Sequence, residues 1–141
     1  IDPERSGIWG WSYGGEMTAL CMIKSEIFDV GIAVAPVTNW RYYDTIYTER
    51  FMRKPQTNIN GYDENNPQKM AASLNGRLFL IHGSADDNVH LQNTMEYVDQ
   101  LVKHGKQFDM FVYPNRDHGI YGGNARNHLY RMMSDYIFEN L

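Results

Sequence analysis

The stretch GIWGWSYGGEM, residues 7–17, places Ser12 between two glycines at the end of a short apolar run. Gly10 and Gly14 complete the pattern G-x-S-x-G, in which a sharp turn from a strand into a helix presents a serine hydroxyl at the end of a sheet. Glycines suit this turn because the strand and the helix leave no room for Cβ atoms. Residues 16–24, EMTALCMIK, have apolar side chains at helical spacing. We therefore predict a strand, a sharp turn and a helix.

Short apolar runs and amphipathic helical patterns alternate along the rest of the chain, which predicts an α/β fold with a mostly parallel sheet. Residues 30–35 are a continuous apolar run typical of strands covered on both faces, and residues 77–83, RLFLIHG, are the clearest predicted strand. Residues 108–113, FDMFVY, form the last predicted strand. Residues 91–105 predict a helix that ends at Gly105, with an inward stripe made of Leu91, Met95, Val98, Leu101 and Val102.

Three further segments complete the predicted order of strand, helix, strand, helices, strand, helix, strand, helix. Residues 40–52 carry aromatic side chains at helix-like spacing, and Asn66 and Pro67 suit the start of a short helix. A loop follows the last strand, and residues 124–141 form a closing helix. Its inward residues are Leu129, Met132, Met133, Tyr136 and Ile137.

The composition is that of one ordinary globular domain. The chain has 141 residues and a formal net charge of −4 that is spread along its length, which argues against nucleic-acid and bilayer partners. The single cysteine, Cys21, excludes an internal disulfide. No His, Cys, Asp and Glu spacing fits a metal site, so we expect neither a metal nor another cofactor.

Candidate partners for the serine lie after the last two predicted strands. A serine hydroxyl needs a base, usually a histidine held by a carboxylate, and in this type of fold the chain order is Ser, acid, His. Asp86 and Asp87 follow residues 77–83, and His118 follows residues 108–113. We favour Asp86 as the acid and expect Asp87 to cap the helix that starts near residue 90 or 91.

Four segments together resemble a known family. GWSYGG, GIAVAPVTNWRYYDTIYTERFM, LIHGSADDNVHLQNT and DHGI are similar, in this order, to signature segments of the prolyl oligopeptidase clan of serine peptidases, and within it of the dipeptidyl peptidase IV group. The resemblance implies Ser12 as nucleophile, Asp86 as acid and His118 as base. It also implies that the amide of Tyr13 donates to the oxyanion, in agreement with the general rule for this fold.

The resemblance assigns a different role to the aromatic segment, residues 40–52. Without it, these aromatic side chains are best explained as helix packing. With it, four residues become walls of the pocket for the substrate residue before the scissile bond, and a rigid aromatic box suits a proline ring. The implied walls are Val37, Trp40, Tyr43 and Tyr47, and Asn88 and Val89 match family positions near the substrate carbonyl and the pocket.

The similarity runs through nearly the whole of residues 1–141 but implies only the C-terminal half of an α/β-hydrolase fold, with about four strands. The family's β-propeller and the first strands of its hydrolase domain have no counterpart here, and a first residue other than Met fits a piece of a longer protein. We expect sequential strand order, an open edge at the first strand, and self-association of the fragment through that edge; separately, we expect the protein to be a homo-oligomer, such as a dimer.

The implied activity is release of N-terminal dipeptides with penultimate proline or alanine, and the implied partners are peptide substrates and a second copy of the chain. A prolyl tripeptidyl peptidase is the nearest alternative. An acylaminoacyl peptidase or carboxylesterase fits the aromatic segment less well. A silent relative acting as a binding or scaffold subunit is disfavoured because Ser12, Asp86 and His118 are all present. Relatives are periplasmic, secreted or membrane-anchored, and we expect residues 1–141 alone to be inactive.

Overall fold

The computed structural model describes residue 2 and residues 4–141. Its centre is a sheet of four parallel strands in sequential order, as the sequence predicts. The strands are β1 (Gly7–Trp11), β2 (Val30–Val34), β3 (Arg77–Gly83) and β4 (Asp109–Tyr113).

Helices connect the strands in the predicted order. The described residues form α1 (Tyr13–Lys24), α2 (Thr45–Met52), α3 (Ile59–Asp63), α4 (Gln92–Lys103) and α5 (Ala125–Asn140). Short 3-10 turns lie at Trp40–Tyr42, Pro55–Thr57 and Ala71–Ser73. None of these helices combines the length and the apolar character needed to cross a membrane.

Both faces of β3 are covered, which explains the apolar run from Leu78 to Ile81. Leu78 and Leu80 point into a cluster that contains Tyr97 of α4. Phe79 and Ile81 point to the other face, where the inward side chains of α5 cover them. Side chains alternate along a strand, so consecutive residues of β3 belong to core layers on opposite faces of the sheet.

The predicted inward stripe of α4 is partly wrong. Met95 and Val102 are exposed, while the polar residues Asn93 and Thr94 are fully buried. Polar burial is stable here because both side chains have partners. Asn93 Oδ1 accepts from the amide of Thr38, and Thr94 Oγ1 lies 2.7 Å from His82 Nδ1. Apolar spacing alone could not reveal these bonds.

Two predicted helices also differ from the structure. Asn66 Oδ1 accepts from the amides of Gln68 and Lys69 as a cap would, but residues 67–70 form a turn. The aromatic segment is divided into the 3-10 turn at Trp40–Tyr42 and helix α2. Asp44 has extended backbone angles and accepts from the amide of Tyr47, so α2 begins anew after it.

Candidate active site

Ser12 lies at the sharp turn between β1 and α1, as predicted. Its φ angle is +60°, a region that residues other than glycine rarely occupy, so the turn is strained. Its amide donates to the carbonyl of Val34 at 2.8 Å, which ties the turn to β2. A Cβ atom on Gly10 would lie 2.1 Å from the carbonyl oxygen of Gly14, whereas a Cβ atom on Gly14 would meet open space. The steric need for glycine therefore applies to Gly10 and not to Gly14.

Asp86 and His118 are brought into direct contact from the ends of β3 and β4. His118 Nδ1 lies 2.7 Å from Asp86 Oδ2. The other carboxylate oxygen, Oδ1, accepts from the amides of Asn88 at 3.0 Å and Val89 at 2.9 Å. Burial opposes ionisation of this carboxyl, but the hydrogen bonds with His118 and His82 hold the pKa of Asp86 well below its usual range. Asp86 is thus a carboxylate oriented toward the imidazole of His118.

His82 is a neighbour of the acid that sequence reasoning missed. It is fully buried at the end of β3, and its Nε2 lies 2.8 Å from the carbonyl oxygen of Val89 and 3.3 Å from Asp86 Oδ2. A carbonyl oxygen only accepts, so Nε2 donates to Val89, and Nδ1 lies 2.7 Å from the hydroxyl oxygen of Thr94. Asp86 therefore lies between two imidazoles. The only sequence signal is a polar residue within an otherwise apolar strand.

Asp87 does not cap α4, so that expectation is wrong. Its side chain is exposed, and α4 begins at Gln92 without a side-chain cap. Leu91, which precedes the helix, already has helical backbone angles. Asp86 instead makes the short-range bonds to backbone amides that we expected of its neighbour. The two acids are thereby distinguished by burial and by their contacts.

The loop that carries His118 is tied to the last residue of β1. The indole nitrogen of Trp11 donates to the carbonyl oxygen of His118 at 2.9 Å. This bond brings the histidine loop beside the residue that precedes Ser12. Within the part of the chain that the structure describes, the Ser12 hydroxyl itself forms no hydrogen bond with His118. Tyr13, whose amide the resemblance assigns to the oxyanion, is the first residue of α1, and the first amides of a helix lack partners within it.

The aromatic side chains form a cluster around Trp40. The ring of Tyr47 is stacked on the indole with centroids 6.0 Å apart, and the ring of Tyr43 meets it edge-on at 5.7 Å. Tyr13 approaches the same indole at 6.0 Å. Trp40 also shares a buried cluster with Val37, Val89 and Tyr62.

The aromatic cluster is joined to the acid loop by a side-chain hydrogen bond. The hydroxyl of Tyr43 donates to Asn88 Oδ1 at 2.7 Å. The residues implied for the pocket thus lie together, next to the loop that holds Asp86. A cavity of about 480 Å³ borders Trp40 and Tyr47. A larger one, of about 1120 Å³, lies by β4 and α5, and none of the predicted site residues borders it.

A parallel sheet with a strained serine turn after one strand and a carboxylate–histidine pair after two later strands is the arrangement of the α/β-hydrolase class. The sequence profile described as the prolyl oligopeptidase family matches residues 1–141, and the chain belongs to that family.

Individual relatives agree with this assignment. The chain is 47% identical over 141 residues to a Coccidioides posadasii protein named "Probable dipeptidyl-aminopeptidase B", and 45% identical over 143 residues to an Aspergillus oryzae protein of the same name. These alignments cover 97% and 99% of the chain but only 15% and 16% of the relatives. The crystal structure of Porphyromonas gingivalis dipeptidyl peptidase 4 superposes with a TM-score of 0.98 at 50% identity, over 100% of this chain and 20% of that one.

Proposed function

We propose that this chain is the C-terminal part of the catalytic domain of a longer serine exopeptidase, which releases N-terminal dipeptides whose second residue is proline or alanine. The contact between Asp86 and His118, after the strands that follow the Ser12 turn, is the observation that carries the proposal. The short coverage of the dipeptidyl peptidase relatives supports the longer parent. Their names support the dipeptide as product.

The proposed chemistry assigns one role to each member of the triad. His118 Nε2 takes the proton of the Ser12 hydroxyl as the serine oxygen attacks the carbonyl carbon of the substrate. Asp86 holds the Nδ1 proton of His118 and stabilises the imidazolium that forms. The amide of Tyr13 donates to the oxyanion. His118 then protonates the leaving amine, and water activated by the same imidazole hydrolyses the acyl-enzyme.

The aromatic cluster supports the preference for proline. Val37, Trp40, Tyr43 and Tyr47 form the proposed walls; Val89 packs with Val37 and Trp40, and Asn88 is bonded to Tyr43. Contacts among the rings of Trp40, Tyr43 and Tyr47 restrict the rotation of these three side chains. A proline ring is apolar and rigid, so it gains contact area in such a pocket with little loss of conformational entropy.

Product analysis tests the proposal against its nearest alternative. The full-length parent is incubated with peptides that have proline at position 2 or at position 3, and the first product is identified by mass spectrometry. We expect a dipeptide from the first peptide and no early tripeptide from the second. N-acetylated copies of both peptides are the control. A tripeptide as first product would favour a tripeptidyl peptidase, and rapid cleavage of acetylated peptides would contradict an exopeptidase.

We also propose that residues 1–141, produced alone, associate in pairs through the edge of β1. Within the described residues β1 pairs only with β2, and its Trp9 side chain is half exposed. Light scattering after size-exclusion chromatography should report a dimer for the isolated chain. Trp9→Lys should give a monomer, whereas Met110→Lys on β4, at the other edge of the sheet, should leave the dimer intact. A monomeric wild-type chain would refute the proposal.

A further inference from the structure

Glu16 is a buried acid that has no role in the proposed chemistry. It lies beside the aromatic cluster around Trp40. It lies in the first turn of α1, one turn after Ser12, and its side chain is 2% exposed. The indole nitrogen of Trp40 donates to Glu16 Oε1 at 2.6 Å. Among the described residues, Oε2 has no hydrogen-bond partner. A buried carboxyl with one paired and one unpaired oxygen is costly if it is charged.

The environment of Glu16 favours the neutral acid. Burial raises its pKa from 4.5 to about 8, although the Trp40 hydrogen bond and the charge of Lys24 favour the ionised form. Lys24, on the same helix, is the charged group that lowers the pKa of Glu16, and its ammonium donates a hydrogen bond to the carbonyl oxygen of Glu64. Among the described residues that border the same cavity, the other titratable groups are the hydroxyls of Tyr13 and Tyr47.

We propose that Glu16 is a positioning residue for substrate selection, because its carboxyl group fixes the indole of Trp40 that forms one wall of the proposed proline pocket. This inference rests on the proposed function. Three aromatic rings contact the indole, so its orientation sets the arrangement of the whole cluster. The bond from Trp40 Nε1 to Glu16 Oε1 is the directional contact that selects one orientation of this ring.

The cavity beside Trp40 explains why the charge of Glu16 affects the indole. The cavity measures about 480 Å³, and its lining is mostly aromatic and apolar apart from Glu16, Thr48 and Asn65. Thr48 Oγ1 is likewise buried without a partner among the described residues. An ionised Glu16 therefore places a charge next to apolar walls. The ionised carboxylate keeps its hydrogen bond with Trp40, so solvation of the charge, by water in the cavity or by a movement of the side chain toward solvent, displaces the indole along with the carboxylate.

Glu16→Gln and Glu16→Met in the full-length parent test the inference. Glutamine keeps an oxygen that accepts from Trp40 and cannot ionise, whereas methionine has a similar length and no acceptor. KM and kcat for a Gly-Pro anilide are measured from pH 6 to pH 10. At pH 6 we expect Glu16→Gln to match wild type and Glu16→Met to raise KM several-fold, with a smaller change in kcat.

The pH profile separates positioning from a merely structural role. Above about pH 8 the KM of wild type should rise relative to that of Glu16→Gln, because only wild type gains the buried charge. The ratio of the two KM values removes the titration of the substrate amine, which is common to both proteins. A ratio that stays constant from pH 6 to pH 10, or a Glu16→Met variant with unchanged KM, would overturn the inference.

A readout that does not need turnover distinguishes failure of the inference from failure of the proposed function. The parent is labelled with 5-fluorotryptophan, and the signal of residue 40 is assigned by its loss in Trp40→Phe. In wild type this fluorine signal should shift with a midpoint near pH 8, and in Glu16→Gln it should not. A wild-type signal that does not titrate overturns the inference. A titrating signal in a parent that does not cleave the anilide supports the Glu16 contact and contradicts the proposed function instead.

Discussion

Ser12→Ala in the full-length parent is expected to lower kcat for a Gly-Pro substrate by roughly 10⁴- to 10⁶-fold, the range found when a triad member is removed from a serine hydrolase. The variant lacks only the hydroxyl oxygen, and the Ser12 amide can still donate to Val34. KM and the melting temperature should therefore change little. Steady-state kinetics and thermal unfolding measure both effects.

Ser134→Ala is the matched control for this loss. Ser134 lies on the exposed side of α5, and its hydroxyl donates to the carbonyl of Tyr130 within the same helix. Its activity should equal that of wild type. A fluorophosphonate probe should label wild type and Ser134→Ala but not Ser12→Ala. Substantial turnover by Ser12→Ala would show that another group attacks the substrate.

Asp86→Asn should lower kcat by about 10⁴-fold while KM changes little. The amide group of asparagine has almost the shape of the carboxylate but presents N–H groups to His118. The Nδ1 atom of His118 must then accept a hydrogen bond, so Nε2 carries the proton and cannot take one from Ser12. Asp87→Asn is the control, because that side chain is exposed, and it should remain active. Equal losses in the two variants would contradict the assignment of the acid.

The same pair of variants yields a stability test with a defined sign. The pKa of Asp86 is lower in the folded protein than in an unfolded chain, so its ionised form stabilises the fold. This contribution is fully present above the unfolded pKa of about 4 and is lost as the pH falls through the folded value. The difference in melting temperature between wild type and Asp86→Asn should thus be largest near neutral pH and should shrink in acid. The difference for Asp87→Asn should stay small throughout.

The sequence predicts the strands and their order well because each strand carries its own local signal. Residues 77–83 are apolar throughout except at Arg77 and His82, and a strand that is buried on both faces requires that pattern. The places of Ser12, Asp86 and His118 after the ends of three strands are also predictable, since parallel strands bring their carboxyl ends to one edge of the sheet. The contact between Asp86 and His118, which are 32 residues apart in the chain, is therefore inferred from the ends of the two strands that precede them.

The remaining features depend on contacts that no local pattern encodes. Glu16 occupies a helix position where an acid is ordinarily solvated, and only the approach of Trp40 from a later segment makes it a buried partner. Met95 and Val102 of α4 are exposed for a similar reason. The helix turns Asn93 and Thr94 into the core instead, because both find hydrogen-bond partners there. Hydrophobic periodicity places a helix but does not report polar groups that find partners across the core.

The sequential order of the strands has a consequence for when the site forms during folding. The serine turn depends on β1, α1 and β2, which are neighbours in the chain, whereas His118 reaches Asp86 only after β4 has paired with β3. A folding intermediate that holds the first three strands therefore lacks the histidine that we propose as the base. Under the proposed function, peptidase activity arises only as the last strand joins the sheet.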